Sequence, residues 1–133
     1  MIKVLIVDDQ LILKEGLRYI LEHDNEICVV GFAEDGRGAL GQCDKHLPDV
    51  VLMDIVMPHC DGVEGTRLIK EKYSQIKVII LNTSNDDENI ARALKNGADG
   101  YMLKDSKPEE LIMAVKAAKM EIRILHKSTL PNI

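Results

Sequence analysis

Three acidic residues and one lysine stand where short apolar runs of the chain end. Asp8 and Asp9 follow the first such run, Asp54 follows the third and Lys104 follows the fifth. Asp54 lies 46 residues after Asp8 and 50 residues before Lys104, so only the tertiary fold can bring the four side chains together. Crowded carboxylates repel one another, and their pKa values rise unless a cation neutralises them. The pattern therefore indicates a site for a divalent cation that prefers oxygen ligands.

Mg2+ fits such a site because it binds through one or two carboxylates, keeps several waters and commonly bridges to a phosphate oxygen. Lys104 could then balance the charge of a second phosphate oxygen. A carboxylate held beside Mg2+ and a lysine is equipped to attack phosphorus and to hold an acyl phosphate. Asp54 is the candidate nucleophile.

The elements that must position these residues are indicated by β-branched and aliphatic runs that alternate with segments of helical period. The runs are Lys3 to Val7, Ile27 to Ala33, Asp49 to Met53, Lys77 to Leu81 and Gly100 to Leu103. Near-continuous apolar runs are typical of strands covered on both faces, and right-handed crossovers between them produce a doubly wound parallel sheet. We therefore predict an α/β fold of five strand-helix units, with all strand carboxyl ends at one edge.

The sequence also predicts which face the first helix buries and where the later helices begin and end. The first helix is predicted to bury one apolar face, formed by Leu13, Leu17, Ile20 and Leu21. Ser106 with Glu109 predicts a capping box before the last helix, and Asn85 with Glu88 predicts one before the fourth. Gly97 is placed to end the fourth helix.

Composition limits the function classes. The 133 residues are 46% hydrophobic and carry a net charge of -5, which fits one globular domain and argues against a surface that coats nucleic acid. Three cysteines without a C-x-x-C pair favour reduced thiols over a disulfide framework or a zinc site. Neither a leader peptide nor the roughly 20 apolar residues of a membrane span is visible. We expect a soluble, cytoplasmic protein that does not associate with a membrane.

Three motifs, in this order, resemble response-regulator receiver domains. They are Val4 to Asp9, Met53-Asp54-Ile55-Val56-Met57-Pro58 with Gly62, and Gly100-Tyr101-Met102-Leu103-Lys104. The resemblance covers about residues 1–120 and leaves residues 121–133 as a C-terminal tail or the start of an interdomain linker. The segment Gly97 to Tyr101, with Leu103-Lys104-Asp105, is most similar to the LuxR/NarL-type branch of transcription regulators.

This resemblance implies a flavodoxin-like (βα)5 fold, with a five-stranded parallel sheet in the order 2-1-3-4-5. It implies that Asp54 accepts a phosphoryl group from a sensor histidine kinase and that Lys104 pairs with that group. Tyr101 would be the switch aromatic, and the fourth helix, fifth strand and fifth helix would form the output surface. Such a protein is a phosphoacceptor rather than a turnover enzyme.

The resemblance also implies a ligand set for Mg2+ and a set of partners. Asp9, Asp54 and the backbone carbonyl of Val56 would bind the ion directly, while Asp8 would act mostly through water. The partners would be the kinase, a second copy of the chain on phosphorylation, and DNA only through a C-terminal domain that this chain lacks. The output would then be control of transcription.

One position departs from the family pattern. Counting back from Lys104 puts the hydroxyl-bearing switch residue at Asn82, where Ser or Thr is expected, with Thr83 as its neighbour. An Asn amide can donate to a phosphoryl oxygen, but it is longer than a hydroxyl and planar, which would weaken the coupling to loop movement. Thr83 could substitute only if the strand end bulges, because successive side chains face opposite ways. We expect Asn82 to face the site.

Other functions fit parts of the pattern. A haloacid-dehalogenase-like phosphohydrolase needs a second acid two residues after its nucleophile, where this chain has Val56. A flavodoxin-like electron carrier needs a phosphate-binding loop after the first strand, where Asp8 and Asp9 would repel a phosphate. A receiver-like interaction scaffold with little or no phosphorylation-coupled switching remains an alternative because of Asn82.

Overall fold

A computed structural model describes residues 1–55, 57, 60–82, 87–121 and 124–125, with Asp87, Ile124 and Leu125 described through their backbone. Strands and helices alternate along the chain. They are β1 Ile2–Val7, α1 Leu11–Leu21, β2 Ile27–Ala33, α2 Gly36–His46, β3 Val50–Asp54, α3 Gly62–Lys72, β4 Lys77–Asn82, α4 Asp87–Lys95, β5 Gly100–Leu103, α5 Pro108–Lys119 and β6 Ile124–Leu125. The five apolar runs of the sequence thus coincide with the first five strands to within one residue at each end.

All neighbouring strands of the sheet pair in parallel, and the order is β2-β1-β3-β4-β5-β6. The predicted α/β fold and the order 2-1-3-4-5 are confirmed. A sixth strand, which the sequence analysis did not predict, extends the sheet beyond β5. It is two residues long and pairs Ile124 with Gly100 and Leu125 with Tyr101. Two residues carry no usable periodicity, so this strand depends on the open edge of β5 rather than on a local signal.

Two apolar cores lie on opposite faces of the sheet. Along β1, Val4 and Ile6 belong to the core under α1 and α5, while Leu5 and Val7 belong to the core under α2, α3 and α4. The same alternation runs through the other central strands, as the two-residue repeat of a strand requires. Burial on both faces explains why these strands are apolar at nearly every position.

Helix α1 buries a face slightly rotated from the predicted one. Leu21 is fully buried and Leu17 and Ile20 pack against the core, but Leu13 is exposed and Lys14 is buried instead. The prediction for Leu13 was therefore wrong. The Lys14 Nζ lies 5.7 Å from the centroid of the Phe32 ring. The aliphatic stem of Lys14 therefore occupies the buried position on α1, and its ammonium group lies over an aromatic face. Sequence patterning alone does not select a lysine for this position.

The helix ends agree only in part with the predicted caps. Gly97 has a φ of 105° after α4, as expected of a glycine that ends a helix. The cap of α5 is Lys107 rather than Ser106, and the Glu110 carboxylate accepts a hydrogen bond from the Lys107 N–H at 3.2 Å. Pro108 at the first helical position favours this start, since it has no N–H to satisfy. Asn85 lies outside the described residues.

The three cysteines are free thiols, and Cys43 and Cys60 are buried. Burial raises the pKa of the Cys43 thiol to about 12, so this group stays protonated at neutral pH. In the part of the chain that the structure describes, every helix is too short and too polar to cross a bilayer.

Leu47 ends α2 in the left-handed region, with a φ of 46°, and its side chain is half-exposed. A residue with a Cβ is strained in this conformation, while glycine is not. We expect Leu47→Gly to raise the free energy of unfolding by roughly 0.5–1 kcal/mol, measured by urea denaturation. Leu47→Ala is the control, because it removes the same apolar branch and keeps the Cβ. An equal gain from both variants would show that backbone strain is not the cause.

Candidate functional site

Three carboxylates meet at the carboxyl edge of the sheet. Asp8 follows β1 and Asp54 ends β3, and both continue the alternation of residues that face the α1 and α5 side. Asp9 is the next residue after Asp8 and is exposed to solvent. One oxygen from each of the three carboxylates lies within 4.8 Å of the others. The structure therefore brings together the acids that the sequence places 46 residues apart.

Lys104 joins the two buried acids. Its Nζ lies 2.8 Å from Asp8 Oδ2 and 3.3 Å from Asp54 Oδ1. The exposed fractions of these carboxylate residues are 2% for Asp8 and 6% for Asp54, so both ion pairs are screened from water. The other oxygen of Asp8 accepts a hydrogen bond from the Gln10 N–H at 2.9 Å. Sequence reasoning paired Lys104 with the phosphoryl group and did not predict its contact with Asp8, which joins residues 96 positions apart and for which the sequence has no signal.

Burial and the negative charge of Asp8 both disfavour the ionised form of the Asp54 carboxyl. Burial raises the pKa of the Asp54 carboxyl, the Lys104 ammonium opposes this rise, and the negative charge of Asp8 adds to it. Burial by itself would lower the pKa of Lys104, but its hydrogen bond to Asp8 and the charge of Asp54 outweigh burial and raise the pKa overall. One lysine therefore leaves the cluster with excess negative charge at neutral pH.

A close backbone contact fixes the end of β3 that carries Asp54. A Cβ on Gly62 would lie 2.1 Å from the Asp54 carbonyl oxygen and 2.8 Å from Ile55 Cα, so only glycine fits there. The Gly62 N–H donates to the Ile55 carbonyl at 2.9 Å. Asp61 caps α3 by accepting a hydrogen bond from the Glu64 N–H at 2.9 Å. The start of α3 thus packs directly against the backbone of Asp54 and Ile55.

The remaining predicted site residues lie near this edge or outside the described residues. Asn82 is the last residue of β4 and is buried, and its carbonyl accepts a hydrogen bond from the Lys104 N–H at 2.7 Å. That Asn82 faces Asp54 stays a prediction. Tyr101 is buried on β5, in the core under α2, α3 and α4. Val56 and Thr83 lie outside the described residues.

The donor set suits a hard divalent cation. All three acids offer oxygen, two of them are buried and one is open to solvent, which leaves room for an ion that keeps waters. The repulsion between the carboxylates, which a single ammonium only partly offsets, favours cation uptake. Asp8, Asp9 and Asp54 are the residues that would hold the ion.

Comparison with known proteins agrees with the fold. Residues 4–116 match the family model of the response regulator receiver domain, and the chain belongs to this family. It is 38% identical over 132 residues to the transcriptional regulatory protein DegU of Brevibacillus brevis, covering 99% of this chain and 56% of DegU. It is 33% identical over 128 residues to the nitrate/nitrite response regulator protein NarL of Escherichia coli K12, covering 96% of this chain and 59% of NarL.

A solved structure of a LuxR-family two-component response regulator from Aurantimonas superposes with a TM-score of 0.90. The two chains are 30% identical, and the match covers 96% of this chain and 91% of the other. The predicted likeness to LuxR/NarL-type regulators is confirmed. Receiver domains are signalling proteins that bind Mg2+ through acidic residues. The chain spans less than three fifths of the length of the two curated relatives.

The raised pKa of Asp54 predicts a pH-dependent stability effect. The fold binds the Asp54 proton more tightly than the unfolded chain does, so the ionised carboxylate lowers stability above its folded pKa. In chelator at pH 7, we expect Asp54→Asn to raise the free energy of unfolding by roughly 1 kcal/mol. The gain should shrink as the pH falls from the raised folded pKa toward the ordinary pKa of Asp and be lost below it, and Mg2+ should stabilise the wild type more than the variant.

Asp44→Asn is a control of opposite sign, measured by the same urea titrations. Hydrogen bonds from Lys72 and Tyr73 lower the pKa of Asp44, so its ionised form favours the fold. That variant should be no more stable than the wild type at pH 7. A destabilised Asp54→Asn protein, or one that gains as much from Mg2+ as the wild type, would contradict the assignment of repulsion at Asp54.

Proposed function

We propose that the chain is the phosphoacceptor domain of a two-component response regulator and that Asp54 receives the phosphoryl group. The observation that supports this most directly is the pairing of Lys104 with both Asp54 and Asp8 inside a three-carboxylate cluster. A structural ion pair needs one acid. Two buried acids that share one lysine keep negative charge that the lysine does not neutralise, and further positive charge would stabilise them, which suits a site that binds a cation.

In the proposed transfer, an Asp54 carboxylate oxygen attacks the phosphorus of a phosphohistidine on a sensor histidine kinase. The new P–O bond forms as the P–N bond breaks, and the imidazole leaves with the electron pair. Lys104 is within reach of Asp54 and would pair with an oxygen of the transferred group. Desolvation of Asp54 makes its carboxylate a better nucleophile than an exposed one.

Mg2+, when bound, would neutralise the acids and stabilise charge on the phosphoryl oxygens. Asp9 and Asp54 would bind it directly, together with the backbone carbonyl of Val56, while Asp8 would act mostly through water. Asp8 also holds Lys104 in place beside Asp54, at 2.8 Å. The exposed position of Asp9 gives the site an opening to solvent.

The proposed output is transcription control through a DNA-binding domain outside this chain. The relatives are transcriptional regulators of which this chain covers less than two thirds, and its net charge of -5 does not favour direct DNA contact. Residues 1–120 would be the receiver, and residues 121–133 the tail or the start of a linker. The switching surface would comprise α4, β5 and α5, with Tyr101 as the switch aromatic. We also propose that the chain forms a homodimer on phosphorylation and that it is located in the cytoplasm.

Labelling tests the acceptor directly. With Mg2+ and acetyl phosphate, the wild type should gain one phosphoryl group by intact mass, and peptide mapping should place that group on Asp54. Asp54→Asn should not be labelled, and Lys104→Met should be labelled about 100-fold more slowly because a positive charge beside the transferred group is lost.

Asp44→Asn, which removes an acid of α2 on the surface, is the matched control and should label like the wild type. Labelling that persists in Asp54→Asn would place the acceptor elsewhere. Rapid multiple turnover of acetyl phosphate would instead indicate a phosphohydrolase. If neither the wild type nor any variant forms an adduct, the result would support the interaction scaffold.

The scaffold alternative depends on Asn82, which ends β4 and accepts a hydrogen bond from the Lys104 backbone N–H. If its amide couples poorly to a phosphoryl group, an adduct can form with little conformational response. Replacing the amide with a hydroxyl should then restore the response without changing the acceptor.

We expect wild type and Asn82→Ser to form the beryllofluoride adduct equally, and Asn82→Ser to show the larger increase in association by light scattering. Asn82→Ala, which has neither an amide nor a hydroxyl, should form the adduct and respond least. Equal association of wild type and Asn82→Ser would show that Asn82 does not weaken switching.

A further inference from the structure

The outer edge of β5 is occupied by the chain itself. β6 pairs in parallel with Gly100 and Tyr101, on the side of β5 that is opposite to β4. An open edge offers unpaired N–H and C=O groups to which another strand can add. This edge lies within the proposed switching surface, between α4 and α5. Ile124 and Leu125 therefore cover backbone groups that a partner could otherwise reach.

The direction of each β5 N–H group follows from one hydrogen bond. The Lys104 N–H donates to the Asn82 carbonyl on β4 at 2.7 Å. Because backbone groups alternate sides along a strand, the Met102 N–H also faces β4 and the Tyr101 N–H faces β6. In the observed register, Tyr101 N–H is directed to the Ile124 carbonyl. The N–H of Ile124 then faces β5, and that of Leu125 faces away.

The covering strand is held weakly. Among the described residues, two pairs join it to β5. Glu121, at the turn from α5, has a φ of 65°, in the left-handed region where a residue with a Cβ is strained. Its carboxylate lies 3.8 Å from Lys77 Nζ and is 78% exposed, and an open cleft of about 310 Å³ lies beside it, between α4 and α5. Such a segment can detach without unfolding the sheet.

The covered edge is also close along the chain to the acid cluster. Lys104, which pairs with Asp8 and Asp54, follows Tyr101 by three residues. A shift of Lys104 from a carboxylate partner to a phosphoryl oxygen would pull on the end of β5. β4 pairs along all four residues of β5, whereas the described residues of β6 pair with two of them, so β6 is the more weakly held neighbour.

We propose that Ile124 and Leu125 are a detachable cover of the β5 edge, which they leave when the Asp54 site is occupied. The edge is then a binding surface whose resting occupant is the tail of the same chain. A partner that uses the α4, β5 and α5 face must displace this cover. The release step rests on the proposed function, whereas the covering of the edge does not.

Amide hydrogen exchange of the 133-residue chain tests the cover. Ile124→Pro removes an N–H that faces β5, and we expect exchange at the Tyr101 amide to rise at least tenfold. Leu125→Pro is the matched control, because the lost N–H faces away from β5, and exchange should stay within about twofold of wild type. The Met102 amide, bonded to β4, should be unchanged in both variants and thus reports an intact sheet. Unchanged exchange at Tyr101 in Ile124→Pro would overturn the proposal.

Adding Mg2+ and beryllofluoride to the wild type tests the release, with adduct formation followed separately by fluorine NMR. We expect the adduct to raise exchange at Tyr101 at least tenfold and to leave Met102 unchanged, with no effect in Asp54→Asn. An adduct without faster exchange at Tyr101 would overturn the release and leave the proposed function intact. Absence of an adduct would overturn the proposed function, while the comparison of the two proline variants would still decide whether the edge is covered.

Discussion

One lysine shared by two buried carboxylates is the interaction on which the site depends. Lys104 lies 2.8 Å from Asp8 and 3.3 Å from Asp54, and neither acid has enough access to water to disperse its charge. Charges this deep are tolerated only when they are paired. The pairing holds the Asp54 carboxylate beside a cation, yet one ammonium cannot neutralise all three acids. The site is thus stable and still attracts positive charge, which is the combination that a phosphoacceptor requires.

Several features of the fold hold the acids and Lys104 in this arrangement. The strand alternation sends Asp8 and Asp54 toward the same side of the sheet edge, and the backbone contact of Gly62 prevents β3 from shifting. The Lys104 N–H donates to the carbonyl of Asn82, so a backbone hydrogen bond joins β4 to the residue that follows β5 at the site.

Agreement between local patterns and the tertiary structure is uneven. The first five strands could be predicted because each is apolar at nearly every position, a signal that covers several residues, and their order was implied by the resemblance to receiver domains. The helix faces and caps were predicted less well. Lys14 replaced Leu13 on the buried face of α1 because its stem packs beside Phe32, and Lys107 replaced Ser106 as the cap of α5 because Pro108 favours that start. Both outcomes depend on single contacts, which the periodicity of the sequence does not predict.

By itself, the sequence determined the α/β class and the strand boundaries to within one residue, and it indicated Asp8, Asp9, Asp54 and Lys104 as the candidates for chemistry. Residue type and the two-residue repeat of a strand are local properties, so one chain suffices to read them. The tertiary structure alone decided that Lys104 is nearer to Asp8 than to Asp54, and that the tail pairs with β5. Those are contacts between distant segments, and their free energies depend on burial and geometry that exist only once the sheet has formed.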